Sequence, residues 1–516
     1  MWFHQSATGL TGRASSRALR QLKLVGAASA TLLLAGCAVV PDPLDPFTMS
    51  TDTGAALAQR ISEQEPITGV VDLAEAMARA IKYNLDHRVE IMQAEVRDRE
   101  LTLAHYDLLP SVVAGSAYDA RNNDNASSSQ NIFTGATSLA TSTSTERKVK
   151  TADIAFSWSI LDFGLSYVRA RQSADTYLIA EETRRKVAQR IVEDVRTAYW
   201  RAVSSDRMVG KLTKLEKRVS RALASSRDIA GSGTTSPITA VTYERELVEI
   251  KQAIQELQND LSVAKSQLAA LMNVPPGTPF QLAGADGNSR PVRLDDDVSN
   301  LVSVALSRRS ELREIWYKQR INQHDLDAAL LELLPGLETF VGNNFNSNDF
   351  LFNNNWVGWG AKASWNLIRV FQYPAKREVI EANDALLQER ALATAMAIAT
   401  QVHVSRIRYR MNNRELHTAE EYLDVQKRLV GLMRAEAAAN KISEQTLIRE
   451  EMNTLVAEAK RDIAHADVEN AYANVLASVG IDLYDFHVVE DASVHDLAAE
   501  LRNLRLDASA IEIAAN

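Results

Sequence analysis

Two short runs decide how this chain folds: TADIAFSWSILDFG, Thr151 to Gly164, and VGWGAKASWNLI, Val357 to Ile368. Both alternate. In the first, Ile154, Phe156, Trp158 and Ile160 fall on one side, with Ala155, Ser157 and Ser159 opposite. In the second, Val357, Trp359, Ala361, Ala363, Trp365 and Leu367 oppose Gly358, Gly360, Lys362, Ser364 and Asn366. A period of two with one apolar and one small or polar side fits a strand that meets lipid or core on one face and water on the other. Weaker partners precede each run, at about Ser111 to Tyr118 and Gly336 to Asn344, so two hairpins are expected. Four strands cannot hide their edges within one chain, which argues for pairing with further sheet or closure among subunits.

The rest of the sequence reads as long helices. No proline stands between Pro110 and Pro237, nor after Pro374, and proline is what breaks a helical ladder. Ser166 to Ala230 mixes Leu, Ile, Val and Ala with Arg, Lys and Glu at helical spacing. At 1.5 Å per residue it is about 97 Å long. A second helix is expected from Ser236 to Met272, and a similar pair over about Pro374 to Asn440 and Lys441 to Val479. Shorter helices are expected at Leu73 to Leu108 and Val298 to Leu333.

An internal repeat organises these pieces. A displacement of 207 takes Trp158 to Trp365, Ser236 to Ser443, Glu244 to Glu451 and Asn273 to Gly480. Before the tryptophans the displacement is 225, from Leu109-Pro110 to Leu334-Pro335. The difference of 18 lies in the loops, because Pro110 to Trp158 spans 48 positions and Pro335 to Trp365 spans 30. The longer loop, Asn122 to Glu146, is rich in Asn, Ser and Thr, and Asn343 to Asn355 occupies the matching place. The expected division is 1–36 leader, 37–70 anchor and tether, 71–297 first repeat, 298–483 second repeat and 484–516 tail. The repeats hold hairpins at about 111–164 and 336–370 and helical pairs at 166–273 and 374–480.

Composition narrows the function classes. With 516 residues, a formal net charge of -9 and 46% hydrophobic residues, the chain can bury an ordered core but lacks the basic footprint of a nucleic-acid binder. Its nine histidines form no HExxH or comparable ligand spacing, and no Gly-rich phosphate loop is present. Neither an enzyme nor a cofactor or metal is therefore expected. The single cysteine excludes an intrachain disulfide. It closes LAGC at Cys37, after a leader with Arg13, Arg17, Arg20 and Lys23 and the apolar run Leu24 to Leu34, which is the layout of an export signal. LAGC resembles the lipobox of bacterial lipoproteins, which implies cleavage before Cys37, diacylglyceryl and acyl modification there, and, with Ala38 beside it, sorting to an outer membrane. Pro41, Pro43 and Pro46 then punctuate a tether expected to lack regular structure.

The ordered set, in two copies, of YNLD, LLP, loop, SWSILDFG, VRTAYWRA and LAALMN resembles the TolC-type outer membrane efflux family over nearly all of the chain from Cys37 to about Leu483. That resemblance implies a mixed α/β membrane protein: a homotrimer with four strands per protomer in one 12-stranded barrel, continued by a periplasmic α-helical coiled-coil tunnel. It also implies equatorial material at Pro275 to Asp297, before about Val70 and after Ile481, with outer membrane lipid, a periplasmic adaptor protein and an inner-membrane transporter as partners. Conduction is expected to be passive. The alternatives are a lipid-anchored helical adaptor or scaffold without a channel, and a secreted hydrolase or binding lipoprotein with a concave polar site.

Site residues follow from the repeat. The helix tips, Gly231 to Pro237 and Ala438 to Glu444, make Gly231, Gly233, Pro237, Asn440, Lys441 and Ser443 candidates for adaptor contact. The Val-Gly-Leu-x-Thr pattern common at this tip in the family has no good copy here. Near the second tip, Thr446 to Arg449 reads TLIR where the family carries paired acids, so Glu444, Glu450 and Glu451 are candidates for the periplasmic aperture, expected as unpaired carboxylates crowded by symmetry. Trp158 and Trp365 are expected to face lipid near an interface.

Overall fold

The structure is a computed structural model that describes residues 43–138, 140–231, 236–275, 277–284, 298–439, 441–481 and 492–506. The chain divides at Gln64. In the first unit, helix α1 (Pro46–Ser62) stands where an irregular tether was expected. Asp45 caps it, accepting from the N–H groups of Phe47 at 3.3 Å and Thr48 at 3.2 Å. Pro46 occupies the first helical position, where a missing N–H has no partner to lose. The proline that suggested irregularity is thus a helix start.

The second unit begins with β1 (Val70–Val71), α2 (Leu73–Tyr83) and α3 (Leu85–Tyr106). The expected single helix Leu73 to Leu108 is therefore two. Asn84 sits between them in an extended conformation, and its Oδ1 accepts from the N–H groups of Asp86 and His87. Its Nδ2 donates to Leu271 O at 3.1 Å, tying this break to a distant helix end. Strand β2 (Ser111–Ala120) follows, then a small ribbon of β3 (Ala126–Ser127) and β4 (Ser142–Thr143) within the long loop, then β5 (Lys148–Ser159). Helix α4 (Ile160–Gly231) has 72 residues, about 108 Å at 1.5 Å each. The return is α5 (Pro237–Ser262) and α6 (Ala264–Leu271), divided at Val263, and it ends before β6 (Gln281–Leu282).

The second half repeats this order: α7 (Val298–Arg308), α8 (Ser310–Leu331), β7 (Gly336–Asn346), β8 (Asn355–Ser364), α9 (Ile368–Ala438) and α10 (Glu444–Val479), with α11 (Val494–Leu506) after it. The expected helix at Val298 to Leu333 is again two, split at Arg309. Moving α2, α3 and the start of β2 by 225 reproduces the bounds of α7, α8 and β7, while moving Gly231 and Pro237 by 207 gives Ala438 and Glu444. The helix ends repeat in detail. Asn273 (φ 55) and Gly480 (φ 76) are both left-handed, and Val274 N donates to Ala269 O as Ile481 N does to Leu476 O. This motif satisfies the last carbonyls of each hairpin. At Gly480 no other residue fits well, since a Cβ would come within 3.1 Å of the Arg308 backbone.

Strands order β2-β5-β7-β8 in one antiparallel sheet, with Thr151 opposite Asn346 where the halves join. The main core packs α2, the middle of α4, α6 and α11 together. Tyr199 is buried there, its hydroxyl donating to Val71 O and Ala283 O beside the parallel β1-β6 pair. The C-terminal tail is part of this core: Val494 N donates to the Glu65 carboxylate and Arg502 pairs with Asp72.

Candidate functional site

Side-chain alternation gives the sheet two unlike faces. Ile154, Phe156 and Trp158 of β5 share one face with Val112 of β2, Val341 of β7 and Val357 and Trp359 of β8, and all are exposed. The opposite face carries Gly115, Asp153, Ala155, Ser157, Gly342, Gly358 and Gly360, together with the exposed Val113, Phe340 and Trp356. Two of these glycines make room for a cross-strand neighbour: a Cβ on Gly360 would lie 2.8 Å from the Phe340 ring, and one on Gly115 would lie 2.6 Å from Asp153 Oδ1. One apolar face set against a face of mostly small and polar residues with a few apolar ones is compatible with a barrel wall.

The alternation stops sooner than the sequence suggests. Ile160 already opens α4, and Trp365 and Leu367 lie beyond the end of β8. Asn366 Oδ1 accepts from Ile368 N at 3.2 Å and starts α9 there, six residues before Pro374, which is carried inside the helix. Trp158 and Trp365 therefore differ. Trp158 stands on the apolar face and packs edge-on against Phe163, at 5.8 Å between centroids. Trp365 sits at the strand-to-helix junction and donates its indole N–H to Leu333 O at 2.9 Å.

Both outer strands, β2 and β8, have one unpaired edge within the chain. The helices below repeat the situation. Helix α4 lies centrally and meets α3, α5, α8 and α10, α5 also touches α10 through Glu246 with Gln445 and Arg449, and α9 meets α8 and α10. After Tyr167, no described side chain of α4 is a large exposed apolar group. Helix α9 by contrast exposes Leu386, Met396, Met411, Tyr422, Leu429 and Leu432, and on the far flank α3 exposes Val89, Met92 and Val96 while α5 exposes Ile238, Val241 and Val248. Each apolar side chain of this size gains roughly 1.5–3 kcal/mol on full burial. Sheet and helices thus form one wall with two sticky, non-identical edges.

The centre of the wall is held differently. Arg207 pairs with Asp462, Lys211 with Glu458 at 2.5 Å and Arg218 with Glu451, so every cation stands on α4 and every anion on α10. Two of the three predicted aperture residues, Glu444 and Glu451, belong to this ladder. Glu444 pairs with Arg218 at 3.2 Å and Glu451 with both Arg218 and Arg434, which corrects the expectation of unpaired carboxylates; Glu450 accepts from Asn453. Antiparallel packing of α4 on α10 supplies the cations, and this could not be read from either helix alone.

At the tips, Gly231 ends α4, Pro237 opens α5, and Ser443 caps α10 by accepting from Thr446 N at 3.2 Å. Lys441 N donates to Glu436 O, closing the end of α9. Gly233 and Asn440 lie outside the described residues, as does Cys37 with its leader. Higher up, α4, α9 and α10 enclose a polar cavity of about 440 Å³ that includes Glu193, Arg309, Arg408 and Asp467. Burial pushes the carboxyls of Glu193, Asp194 and Asp467 above their ordinary range, and the Asp194 charge adds to the effect at Glu193. Among the described residues no group of three or more metal-ligating side chains occurs, and no helix is long and apolar enough to cross a membrane. His465 stacks edge-on against Trp200 at 4.8 Å between ring centroids.

No protein-family model matches the chain. No curated protein matches it either. Solved structures do. The chain is similar to CusC, studied for conformational changes accompanying folding and transmembrane channel formation, with a TM-score of 0.61, 16% identity and coverage of 86% of this chain and 100% of that one. It is similar to the Campylobacter jejuni CmeC outer membrane channel (TM-score 0.62, 12% identity, 84% of this chain and 89% of that one). The open state of the Neisseria gonorrhoeae MtrE outer membrane channel is a further neighbour, at 0.59 and 14%, covering 78% and 89%. The fold of the single chain is therefore that of these outer membrane channel chains.

Proposed function

We propose that this chain is the outer membrane subunit of an efflux or secretion conduit. Three copies close a ring whose strands form a 12-stranded barrel and whose helices continue it as a tunnel through the periplasm. The observation that carries the reading is the wall with two unlike, unsatisfied edges: β2, α3 and α5 on one side, β8 and α9 on the other. Unlike edges meet head to tail, and head-to-tail contacts close into rings. Similarity to channel chains over most of the sequence supports the same reading. Helices of about 108 Å extend far past a hydrocarbon layer of about 30 Å, so solute crosses both compartments without entering either.

In this reading transport is passive, with energy supplied by an inner-membrane transporter through a periplasmic adaptor that touches the tips at Gly231, Gly233, Pro237, Asn440, Lys441 and Ser443. Cys37 carries the lipid, and an intact mass beginning at an acylated Cys37 checks it. Trp158 and Trp365 sit near the membrane boundary. Glu444, Glu450 and Glu451 surround the periplasmic aperture.

Detergent-solubilised protein is expected to be a hollow trimer that conducts ions in planar bilayers. A monomer without conductance overturns the proposal. In the same bilayers, Glu450→Gln combined with Glu451→Gln is expected to alter cation preference; unchanged selectivity removes these residues from the aperture and leaves the conduit standing.

A further inference from the structure

Helix α10 packs against both α4 and α9, and the space over it between these two neighbours is the polar cavity of about 440 Å³. Its floor is a stripe of α10 formed by Asp467, Asn470 and Asn474, which share one helix face. The α4 wall supplies Arg190 and Glu193, and the α9 wall supplies Arg408. Arg309, at the break between α7 and α8, closes one end and is already engaged, donating to Glu311, Gln401 and Ala477 O.

Four charged ends are left over. Among the described residues, the guanidinium groups of Arg190 and Arg408 and the carboxyls of Glu193 and Asp467 form no hydrogen bond or ion pair. The two arginines are exposed and the two acids are half-buried. Two cations and two anions thus line one space without meeting. Burial without a partner is what lifts both carboxyls above their ordinary range.

The period of α4 shows which way this recess opens. Ala188, Ile191, Val195 and Tyr199 place one side of the helix in the main core with α2 and α11. Phe163, which packs on Trp158 of the apolar sheet face, precedes Tyr199 by 36 residues, or ten turns. The apolar sheet face and the core therefore lie on the same side of α4. Arg190 stands nine residues before Tyr199, two and a half turns, and so on the opposite side. In the ring reading above, that side is the lumen of the tunnel.

We infer that the recess is a binding site for small zwitterions, which holds the anionic group of the ligand between Arg190 and Arg408 and its ammonium group on Glu193 and Asp467. A ligand of both signs satisfies both pairs through charge-assisted hydrogen bonds. A simple anion would also meet two carboxylates, and a simple cation two guanidinium groups. The volume is that of a small-molecule site. The site lies within one chain; its place in the lumen, and with it a role in selecting cargo, rests on the ring reading and deepens it. Three copies would give the tunnel three such sites.

Triglycine, with an ammonium and a carboxylate about 10 Å apart when extended, is a suitable probe. N-acetyl-triglycine and triglycinamide are its singly charged counterparts. In calorimetric titration of the full-length protein in detergent, triglycine is expected to bind at least about tenfold more tightly than either, a ratio that one charge-assisted hydrogen bond can supply. Arg190→Ala with Arg408→Ala is expected to bring triglycine down to the level of triglycinamide. Glu193→Gln with Asp467→Asn is expected to bring it down to the level of the acetylated peptide, and either double variant suffices should the other fail to fold. Arg414→Ala, outside the recess, is expected to change nothing. Equal affinity for the three probes, no binding of any, or full triglycine affinity in a folded double variant would reduce the recess to a solvated groove and overturn the site. Planar bilayers separate this from the conduit: triglycine binding without conductance keeps the site and overturns the ring, and conductance without binding does the reverse.

Discussion

Glu193 and Asp194 stand in sequence within a run of mixed charge, and nothing there separates them from solvent-facing acids of an amphipathic helix. The partial burial of Glu193 comes from the packing of neighbouring helices on α4, which a one-dimensional period cannot register. Burial, and then the neighbouring Asp194, raises the Glu193 carboxyl above its ordinary value of 4.5. A raised carboxyl holds its proton more tightly in the folded state, so its favourable contribution is complete below pH 4.5 and is lost as pH rises through the folded value. Glu193→Gln removes that loss. Its melting temperature relative to the parent chain is expected to climb from pH 4.5 upward and then level off; a difference that stays flat with pH defeats the assignment. Other single residues were readable. Asn273 and Gly480 were matched by displacement alone, because each closes an apolar run, and both adopt the left-handed conformation that ends a helix. Trp365 falls beyond the end of β8 because alternation continues on paper after the backbone has turned, and the bond from the Ile368 N–H to Asn366 Oδ1 marks the end.

At the scale of elements, the long helices and four main strands were legible, since strong periods run through them with few prolines. The splits at Asn84 and Arg309 were not drawn, although YNLD contains the asparagine that caps the second segment. Helix α1 is not legible because Pro46 reads as a breaker, whereas its place directly after Asp45 makes it a first-turn residue. The α4–α10 ladder was hidden for another reason: a line of basic residues on one helix and of acidic residues on another acquires meaning only when the two are set antiparallel. Arg218 is its most connected cation near the tip, serving Glu444 and Glu451 together. Arg218→Met leaves these acids beside each other with Arg434 as the remaining cation at Glu451. A loss of about 1 kcal/mol in urea unfolding at low salt is expected, since the group is partly exposed and screened. In molar salt the loss is expected to shrink; a salt-independent effect would show that the methylenes of Arg218, rather than its charge, hold the seam.

For the whole molecule, the informative fact is a surplus of apolar surface confined to two flanks. The duplication was visible from the sequence, and so was the need to close four strands; which helix faces remained open was not, because exposure depends on which neighbours the chain itself provides. Leu429, on the α9 flank, tests the arrangement. Leu429→Glu forgoes roughly 1.5–3 kcal/mol of burial at each seam and desolvates a carboxylate as well. Size-exclusion in detergent is expected to move the protein from trimer to monomer, while helicity measured by circular dichroism is unchanged because the side chain is exposed in the single chain. A trimer that survives would remove this face from the joint. The β3–β4 ribbon, braced at its base by the bidentate contact of Arg147 with Asp124 at 2.6 Å, has no counterpart in the second hairpin. A closed assembly of three such chains would therefore display six hairpins at its outer rim but only three ribbons, alternating tall and short like a crown. Any antibody or phage fibre that reads the ribbon would saturate at three per channel, and crowding at the rim would set how many of those three can be occupied at once.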